Sequence, residues 1–178
     1  MSIKDEKDLL KASLREVSSR MVVAARTAPK ARGMDTFEIK IIEGDSINKV
    51  AEKMNRIASE DDFPIFKRDA ENIMNSPLVF LIGTSIKSIG LKRCGMCGFS
   101  NCNEKNLHPL VPCVFNTGDL GIAVGSAVSV CMDSRVDNRI MYTIGQAAME
   151  LEIFDTQIKI AYGIPLSATS KNPFFDRK

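Results

Sequence analysis

Apolar and polar positions along the chain repeat with the periods that are typical of helices and strands. Residues 5–28 carry apolar side chains three or four positions apart, which predicts a long amphipathic helix. Residues 36–42 alternate between apolar and polar or charged side chains, as a half-buried strand does. We expect Asp45 to cap a second helix and a shorter helix to cover residues 65–75. The apolar stripe predicted for the first helix consists of Leu10, Leu14, Val17, Met21 and Ala24.

A continuously apolar segment, PLVFLIG, begins the next part of the chain. Such a run is typical of a central strand that is covered on both faces. Residues 84–116 contain most of the cysteines, show no period and are expected to be irregular. Helical spacing returns and predicts one helix over about 117–133 and another over roughly 138–152. The inward side predicted for the last helix consists of Ile140, Met141, Ile144, Ala147, Ala148 and Leu151.

The order of these elements predicts the fold class. Residues 156–162 alternate and predict a third strand, and the tail from Pro165 is expected to be extended. Helices outnumber strands and the strands lie between them, which favours an α+β fold with helix, sheet and helix layers and a small mixed sheet. We expect residues 1–178 to form a single domain, with residues 90–116 as a cysteine-rich insert.

Composition narrows the function classes. The chain has 178 residues and a net charge of +2, so no strong attraction to nucleic acid or to an anionic membrane is expected. It has no run of 18 apolar residues and its N-terminus lacks an apolar signal core, so we expect a cytoplasmic protein. One histidine, His108, leaves little material for a Ser-His-Asp triad or a multi-histidine metal site. In a reducing compartment, five cysteines indicate metal binding or catalysis rather than disulfides.

Four of the cysteines form a motif with the spacing C-x2-C-x4-C-x10-C. Thiolate sulfur is a soft ligand that suits iron–sulfur clusters, and two short gaps followed by a long one let three ligands wrap one side of a cluster. Gly95 and Gly98 each follow a motif cysteine, and glycine allows the backbone to turn through positive φ. The number of thiolates favours [4Fe–4S] over [2Fe–2S] without deciding between them. The predicted ligands are Cys94, Cys97, Cys102 and Cys113.

Other interpretations of these cysteines remain open. Zinc also takes four thiolates, usually from two C-x2-C pairs, although the second pair is missing here. His108 could replace one ligand, but His108-Pro109 is also typical of a turn. Cys131 lies outside the motif, in a predicted helix, and is expected to be a buried structural thiol, with a redox-active role as the alternative.

Two further segments suggest contacts. Gly121 and Gly125 are four residues apart and share a helix face, so another helix, a partner subunit or a flat cofactor is expected to pack there. Arg26, Lys30 and Arg32 follow the first helix, where cations complement its negative end or, alternatively, grip a phosphate. Arg177 and Lys178 could join such a phosphate site if the tail folds back.

The segment CGMCGFSNC, with the later Cys113, resembles the four-cysteine segment of small iron–sulfur domains in electron-transfer proteins. Over nearly its whole length, the chain resembles a family of uncharacterised prokaryotic proteins that contain a ferredoxin domain. The stretches that carry this resemblance are AARTAPKARG, DLGIAVGSAVS, VDNRIMYTIGQAA and GIPLSATSKNPFFDR.

The scaffold also resembles flavin-dependent nitroreductases. The segment AARTAPKARGMDTFEIKII is similar to their first helix, proline segment and strand, and KIAYGIP and DRK are similar to their late strand and tail. The resemblance implies a homodimer with FMN at the subunit interface and the use of NAD(P)H. It makes Arg26, Lys30 and Arg32 the positions to test for flavin phosphate. The paired-arginine opening motif of that family is not evident near this N-terminus.

Three functions remain in competition at this stage. The first is an oxidoreductase whose cluster exchanges electrons with a flavin, a redox partner protein or a small-molecule acceptor. The second is a non-enzymatic electron carrier or redox sensor, and the third is a zinc-stabilised structural or interaction protein. The sequence identifies no general acid or base, so the catalytic residues of an enzyme remain unknown and the choice between enzyme and carrier stays open.

Overall fold

The computed structural model describes residues 3–175, and the predicted α+β class is confirmed. A 3₁₀ turn, Ala31–Gly33, follows the first helix. In chain order the other elements are α1 (Glu6–Thr27), β1 (Phe37–Glu43), α2 (Asp45–Glu60), α3 (Pro64–Ile73), β2 (Leu78–Ser85), α4 (Cys102–Asn106), α5 (Val114–Asp133), β3 (Asp137–Asn138), α6 (Tyr142–Glu150) and β4 (Ile158–Ser167).

The four strands form one sheet in the order β1-β2-β4-β3. Every pairing in it is antiparallel, so the prediction of a mixed sheet is wrong. Helices α2 and α3 return the chain to the end of the sheet at which β1 finishes, and α6 does the same between β3 and β4, so these neighbours are antiparallel. Helix α5 connects β2 to β3, which run parallel to each other, but β4 lies between those two strands and no parallel pair forms. The apolar strand β2 lies between β1 and β4, which confirms its prediction as a central strand.

Side chains on the two faces of the sheet belong to two apolar cores, which confirms the layered arrangement. Val79 and Leu81 of β2 face α2, α3 and α6. Leu78, Phe80 and Ile82 face α1 and α5 on the other side. This alternation within one strand is the two-residue period of β structure, and both halves of it are fully covered.

The predicted helix boundaries need correction at two N-termini. Helix α5 begins at Val114 and not at Thr117, because Cys113 and Asn116 form a reciprocal capping pair that starts the helix earlier. Helix α2 has Gly44 at its N-cap position, and Asp45, the predicted cap, is the first helical residue. Asp5 caps α1 as a carboxylate is expected to, by accepting a hydrogen bond from Lys7 N at 2.8 Å.

The last third of the chain differs most from the prediction. Helix α6 begins at Tyr142, because the residues before it pair with β4 as strand β3 and as a bridge between Met141 and Gly163. Ile140, predicted to point inward, is therefore 45% exposed. Leu151, also predicted to point inward, is 37% exposed because α6 ends one residue before it.

Strand β4 continues through Pro165, where a tail was expected. Proline lacks an N–H group, so it fits a strand only where no ladder bond is needed from that group. Gly163 bonds to Met141 on one edge of β4, and Pro165, two residues on, has its nitrogen toward the same edge. The named pairs on that edge are Met141 with Gly163 and β3 with residues 166–167, so Pro165 lies in the gap between them.

Candidate metal centre

The four motif cysteines line one cavity beside the N-terminus of α5. The cavity has a volume of about 20 Å³, which is room for about one water molecule. Cys113 is buried, Cys97 and Cys102 are partly exposed and Cys94 is exposed, so the cavity has a fixed inner side and an outer side at the surface. Its apolar lining consists of Ile89, Leu91, Phe99, Val114 and Phe115.

Cys113 is the most firmly held of the four. It is the N-cap residue of α5, and its backbone N–H donates to Asn116 Oδ1 at 3.1 Å. The same Asn116 amide accepts a hydrogen bond from Lys87 N at 3.1 Å and donates one to Lys87 O at 3.0 Å. Asn116 is 2% exposed. One buried amide therefore joins the start of the cysteine segment to the helix that carries its last cysteine.

Two tight turns shape the first half of the motif. Gly95 and Gly98 have φ angles of 81° and 88°, so the backbone conformation expected after each cysteine is confirmed. Gly98 N donates to Gly95 O at 3.0 Å, which closes the turn that contains Cys97. A side chain in either position would strain the backbone, because L residues rarely adopt this region.

Cys102 begins the short helix α4, which is capped from within the motif. Asn101 Oδ1 accepts a hydrogen bond from Glu104 N at 3.0 Å. The Glu104 carboxylate accepts from the Ser100 hydroxyl and from Ser100 N, and these bonds hold the pKa of Glu104 below its ordinary value. Glu104, the one acidic side chain of the motif, is therefore already hydrogen-bonded within the cysteine segment.

Lys105 is an unusual buried cation. It is three residues after Cys102, so both lie on the same side of α4, and it is only 3% exposed. Among the ion pairs of residues 3–175 none involves Lys105. A buried ammonium is costly unless an anion compensates it.

His108 contributes no ligand to the cavity in the described structure. Its ring stacks on Phe99, with ring centroids 5.0 Å apart and planes 21° from parallel. Phe99 lines the cavity, whereas His108 does not and is exposed. The interpretation of His108-Pro109 as part of a turn is therefore the one that agrees with the structure.

The three basic residues predicted for flavin phosphate all have partners within the chain. Arg26 Nη1 lies 2.7 Å from Asp35 Oδ2. Lys30 Nζ donates to carbonyl groups of the last turn of α1, including Arg26 O at 2.7 Å, as the helix-end interpretation expects. Arg32 Nη1 donates to Ile89 O at 3.2 Å. A phosphate that bound to these three side chains would have to displace their present contacts within the chain.

The 3₁₀ turn after α1 lies between α5 and the cysteine segment. Ala31 N donates to Asp119 Oδ2 at 2.9 Å, so Asp119 of α5 caps this turn. Arg32 reaches from the turn to the segment just before Cys94. The structure thus brings the two groups of predicted site residues together. Arg177 and Lys178, the other predicted phosphate contacts, lie outside the described residues.

Gly121 and Gly125 do not pack against another helix of this chain. A Cβ atom added at either position, or at Gly118, would meet nothing within 4 Å. The expectation of helix packing inside the chain is therefore wrong, because the inner face of α5 is formed by larger residues such as Leu120 and Val124. Within the described residues, α5 is also the one helix long and apolar enough to span a membrane, although its inner face packs in the α1–β2 core.

Cys131 is fully buried between α1 and α5, which confirms its expected burial. Its Sγ lies 3.3 Å from Met21 Sδ, and burial raises the pKa of the thiol to about 12. Thiolate is the reactive form of cysteine, so at pH 8 the reactive fraction is about one in ten thousand. We predict that iodoacetamide at pH 8 labels exposed Cys94 of metal-free folded protein and leaves Cys131 unlabelled until urea is added. Equal labelling rates, measured by mass spectrometry, would contradict this.

Sequence reasoning missed Asn116 and Lys105. Asn116 could have been found, because it is three residues after Cys113 and that is the spacing of a capping pair. Lys105 had no such signal, since only the short helix α4 turns it inward beside Cys102. Arg32 was singled out for a phosphate, and its contact with the carbonyl groups of residues 89–90 could not be read from spacing.

Residues 111–177 match a family described as uncharacterised proteins containing a ferredoxin domain. The matched stretch includes Cys113 and begins after the other three motif cysteines. The chain is also 40% identical to an uncharacterised protein of Archaeoglobus fulgidus, over 97% of this chain and 96% of that protein.

Solved structures with a similar fold include three flavin-related proteins. Nitroreductase CinD from Lactococcus lactis in complex with chloramphenicol has a TM-score of 0.63 and 14% identity over 96% of this chain and 82% of its own. A nitroreductase with bound FMN from Desulfitobacterium hafniense has a TM-score of 0.59 and 12% identity, over 99% of this chain and 85% of its own. A BluB-like flavoprotein from Clostridium difficile has a TM-score of 0.55 and 16% identity, over 96% of this chain and 86% of its own. The predicted nitroreductase-like fold is confirmed.

Proposed function

This chain belongs to the family of uncharacterised proteins containing a ferredoxin domain, and we propose that its motif cysteines bind an iron–sulfur cluster. The family description and the nitroreductase-like fold both indicate redox chemistry. The observation that carries the proposal is that Cys94, Cys97, Cys102 and Cys113 line a single cavity. Four thiols and an apolar lining are the donor set and the surroundings that such clusters take.

The arrangement of the thiols favours a cluster over one zinc ion. Two thiolates on a tetrahedral zinc lie about 3.8 Å apart, because each Zn–S bond is about 2.3 Å. Among residues 3–175 no three histidine, cysteine or acidic side chains are placed to share a single ion. All four thiols line the cavity. Because the cavity holds only about 20 Å³, the exposed side with Cys94 must move outward to admit a cluster.

The chain's own residues would support an anionic group at this position. Cys113 is the N-cap residue of the 20-residue helix α5, and the partial positive charge at that helix end stabilises anions. Lys105 adds a full positive charge on the inner side of α4. When bound, a [4Fe–4S] cluster would accept or donate one electron at a time, and these charges would set how readily it is reduced.

Lys105 gives a prediction with opposite signs in two forms of the protein. In the cluster-bound form, Lys105→Met is expected to make the reduction potential more negative, because the cation stabilises the reduced cluster. In the metal-free form, the same change is expected to increase the free energy of unfolding, because it removes a buried charge that has no carboxylate partner. Potentiometric titration and urea denaturation measure the two effects.

Exposed Lys87, in the same segment, provides the control for Lys105. Lys87→Met should shift the potential less, since solvent screens an exposed charge. An equal shift for the two variants would show that Lys105 has no special relation to the cluster.

We further propose that FMN binds beside the 3₁₀ turn, which would make the protein an oxidoreductase. Support comes from the fold shared with a nitroreductase that has bound FMN. In this chain Asp119, which holds the turn, lies six residues beyond Cys113 on α5, or about 9 Å along the helix axis. A flavin there would be close enough to exchange electrons with the cluster. The internal contacts of Arg26, Lys30 and Arg32 instead favour the alternative, an electron carrier without flavin.

The test is an anaerobic preparation analysed for iron, acid-labile sulfide, zinc and released flavin, with visible spectra before and after dithionite. Iron and sulfide near four per chain, with a brown absorbance that bleaches, would support the cluster. One zinc per chain and no colour would overturn it in favour of a zinc-stabilised structural protein. FMN in the extract would support the oxidoreductase, and a cluster without flavin would support the carrier.

We also propose that the protein is a homodimer, assembled through the outer face of α5. Three glycines on this face, Gly118, Gly121 and Gly125, lie beside exposed Ile122 and Met132. Small residues among apolar ones allow a second helix to approach closely. Sedimentation at micromolar concentration is expected to give a dimer for the natural chain and a monomer for Gly125→Glu. A natural chain that is entirely monomeric would contradict the proposal.

A further inference from the structure

Around the cysteine cavity the chain exposes a cluster of large aliphatic side chains. Leu107 is 78% exposed, Leu110 81% and Met96 67%, and Val111 beside them is 39% exposed. They stand on irregular backbone and at the end of the short helix α4. Exposed apolar residues that gather in one region mark an interaction surface more often than isolated ones do.

The same segment is positively charged. Residues 86–113 contain four basic residues and one acidic residue, which gives +3, whereas the whole chain has a net charge of only +2. Lys87, Lys92 and Arg93 are exposed, and no ion pair among residues 3–175 includes them. The acidic residue, Glu104, is engaged by Ser100. The remainder of the chain, by difference, carries −1.

We propose that this surface, formed by the exposed residues of 87–111, docks an acidic electron-carrier protein. The inference rests on the proposed cluster, since the exposed Cys94 of this segment lines the cavity. A basic rim steers a negative partner and orients it, and a small apolar centre excludes water at the contact. Such contacts between redox proteins are small and weak, which agrees with four aliphatic side chains.

A protein partner fits this surface better than a membrane or nucleic acid does. The apolar side chains stand on turns and a five-residue helix, and no long amphipathic helix is available to lie in a lipid interface. The exposed large apolar side chains here are not aromatic, and the exposed ring of His108 already stacks on Phe99, whereas single-stranded nucleic acid is usually held by stacking on aromatic rings.

The experiment uses a strongly acidic bacterial two-cluster ferredoxin as the probe and measures its binding by calorimetry at low and high salt. Lys92→Glu/Arg93→Glu is expected to weaken binding at least tenfold at low salt, and the natural chain should lose most of its binding at high salt. Leu107→Ser/Leu110→Ser should weaken the binding that remains at high salt. Iron and sulfide per chain are measured in both variants, so that loss of the cluster is told apart from loss of docking.

The matched control is Lys49→Glu/Arg56→Glu on α2, which changes the net charge by the same amount at exposed positions. It should alter binding less than twofold. Equal losses for the two charge reversals would overturn the proposal, as would binding of the natural chain to anionic vesicles that Lys92→Glu/Arg93→Glu abolishes. A change of sedimentation in Leu107→Ser/Leu110→Ser would assign the surface to a second copy of the chain. Because binding is measured without electron transfer, failure to dock is distinguishable from absence of a cluster.

Discussion

Cys113→Ser is expected to lose most of its iron and acid-labile sulfide. Of the four motif cysteines, Cys113 is the buried one, and it is fixed to both α5 and the start of the cysteine segment through Asn116. The other three lie on turns and a five-residue helix that can shift. A serine hydroxyl is a harder ligand than thiolate and suits iron in a sulfide cage poorly. The variant would therefore lose the one firmly held thiolate of the site, and the other three cysteines cannot take its place.

The measurement is iron and sulfide per chain after anaerobic reconstitution, together with the visible spectrum. Cys131→Ser provides the control, because it makes the same chemical change at a fully buried thiol of α5 that lies outside the cavity. It should keep the full metal content, although it is expected to cost stability. If the Cys113, Cys94, Cys97 and Cys102 serine variants all keep full iron and sulfide, the ligand assignment is wrong.

The elements with strong periodic patterns could be predicted from the sequence. Helix α2 buries Ile47, Val50 and Met54, as its spacing indicates, and β2 is central because every residue from Leu78 to Ile82 is apolar. The spacing of apolar side chains along a helix or strand shows which of its faces is buried, and this spacing can be read from the local sequence. The outer layers and the central strand therefore followed from the residues.

What the sequence could not predict depends on contacts between distant residues. Strand β3 forms because Asp137 and Asn138 pair with Ser167 and Leu166, about 30 positions away. A strand of two residues is too short to show an alternating pattern in the sequence. The antiparallel direction of the sheet likewise depends on where the connecting helices pack. Lys105 is buried and Arg32 reaches the cysteine segment through such contacts, so their positions required the structure.

The cysteine segment connects two elements that pack in the apolar core. It begins just after the central strand β2 and ends at the N-cap of α5, and Asn116 ties its two ends together. Glycine turns and a single short helix fill the interval. This arrangement holds Cys113 firmly and leaves the other three motif cysteines adaptable, as the proposed closing of the site around a cluster would need.

Gly145→Ala is expected to destabilise the fold severely, by about 4–5 kcal/mol or more. In α6 a Cβ atom at Gly145 would lie 1.9 Å from Ala161 O and 2.3 Å from Ala161 C of β4. These are backbone atoms of an interior strand, so they cannot move aside as a flexible side chain can. Alanine is otherwise the better helix former by about 1 kcal/mol, and the clash outweighs that gain several-fold. Since domains are stable by only about 5–15 kcal/mol, this loss is a large part of the total, and the urea midpoint of the variant should fall steeply.

Urea denaturation followed by far-ultraviolet circular dichroism measures this effect, and Gly118→Ala is the matched control. Gly118 is also inside a helix, but a Cβ atom there would meet nothing within 4 Å. Within a single chain the control should therefore gain about 0.5–1 kcal/mol, the opposite sign from Gly145→Ala. The same substitution in two helices separates the helix propensity of alanine from the close packing of α6 on β4. Similar midpoints for the two variants would mean that α6 does not approach β4 as closely as the structure places it.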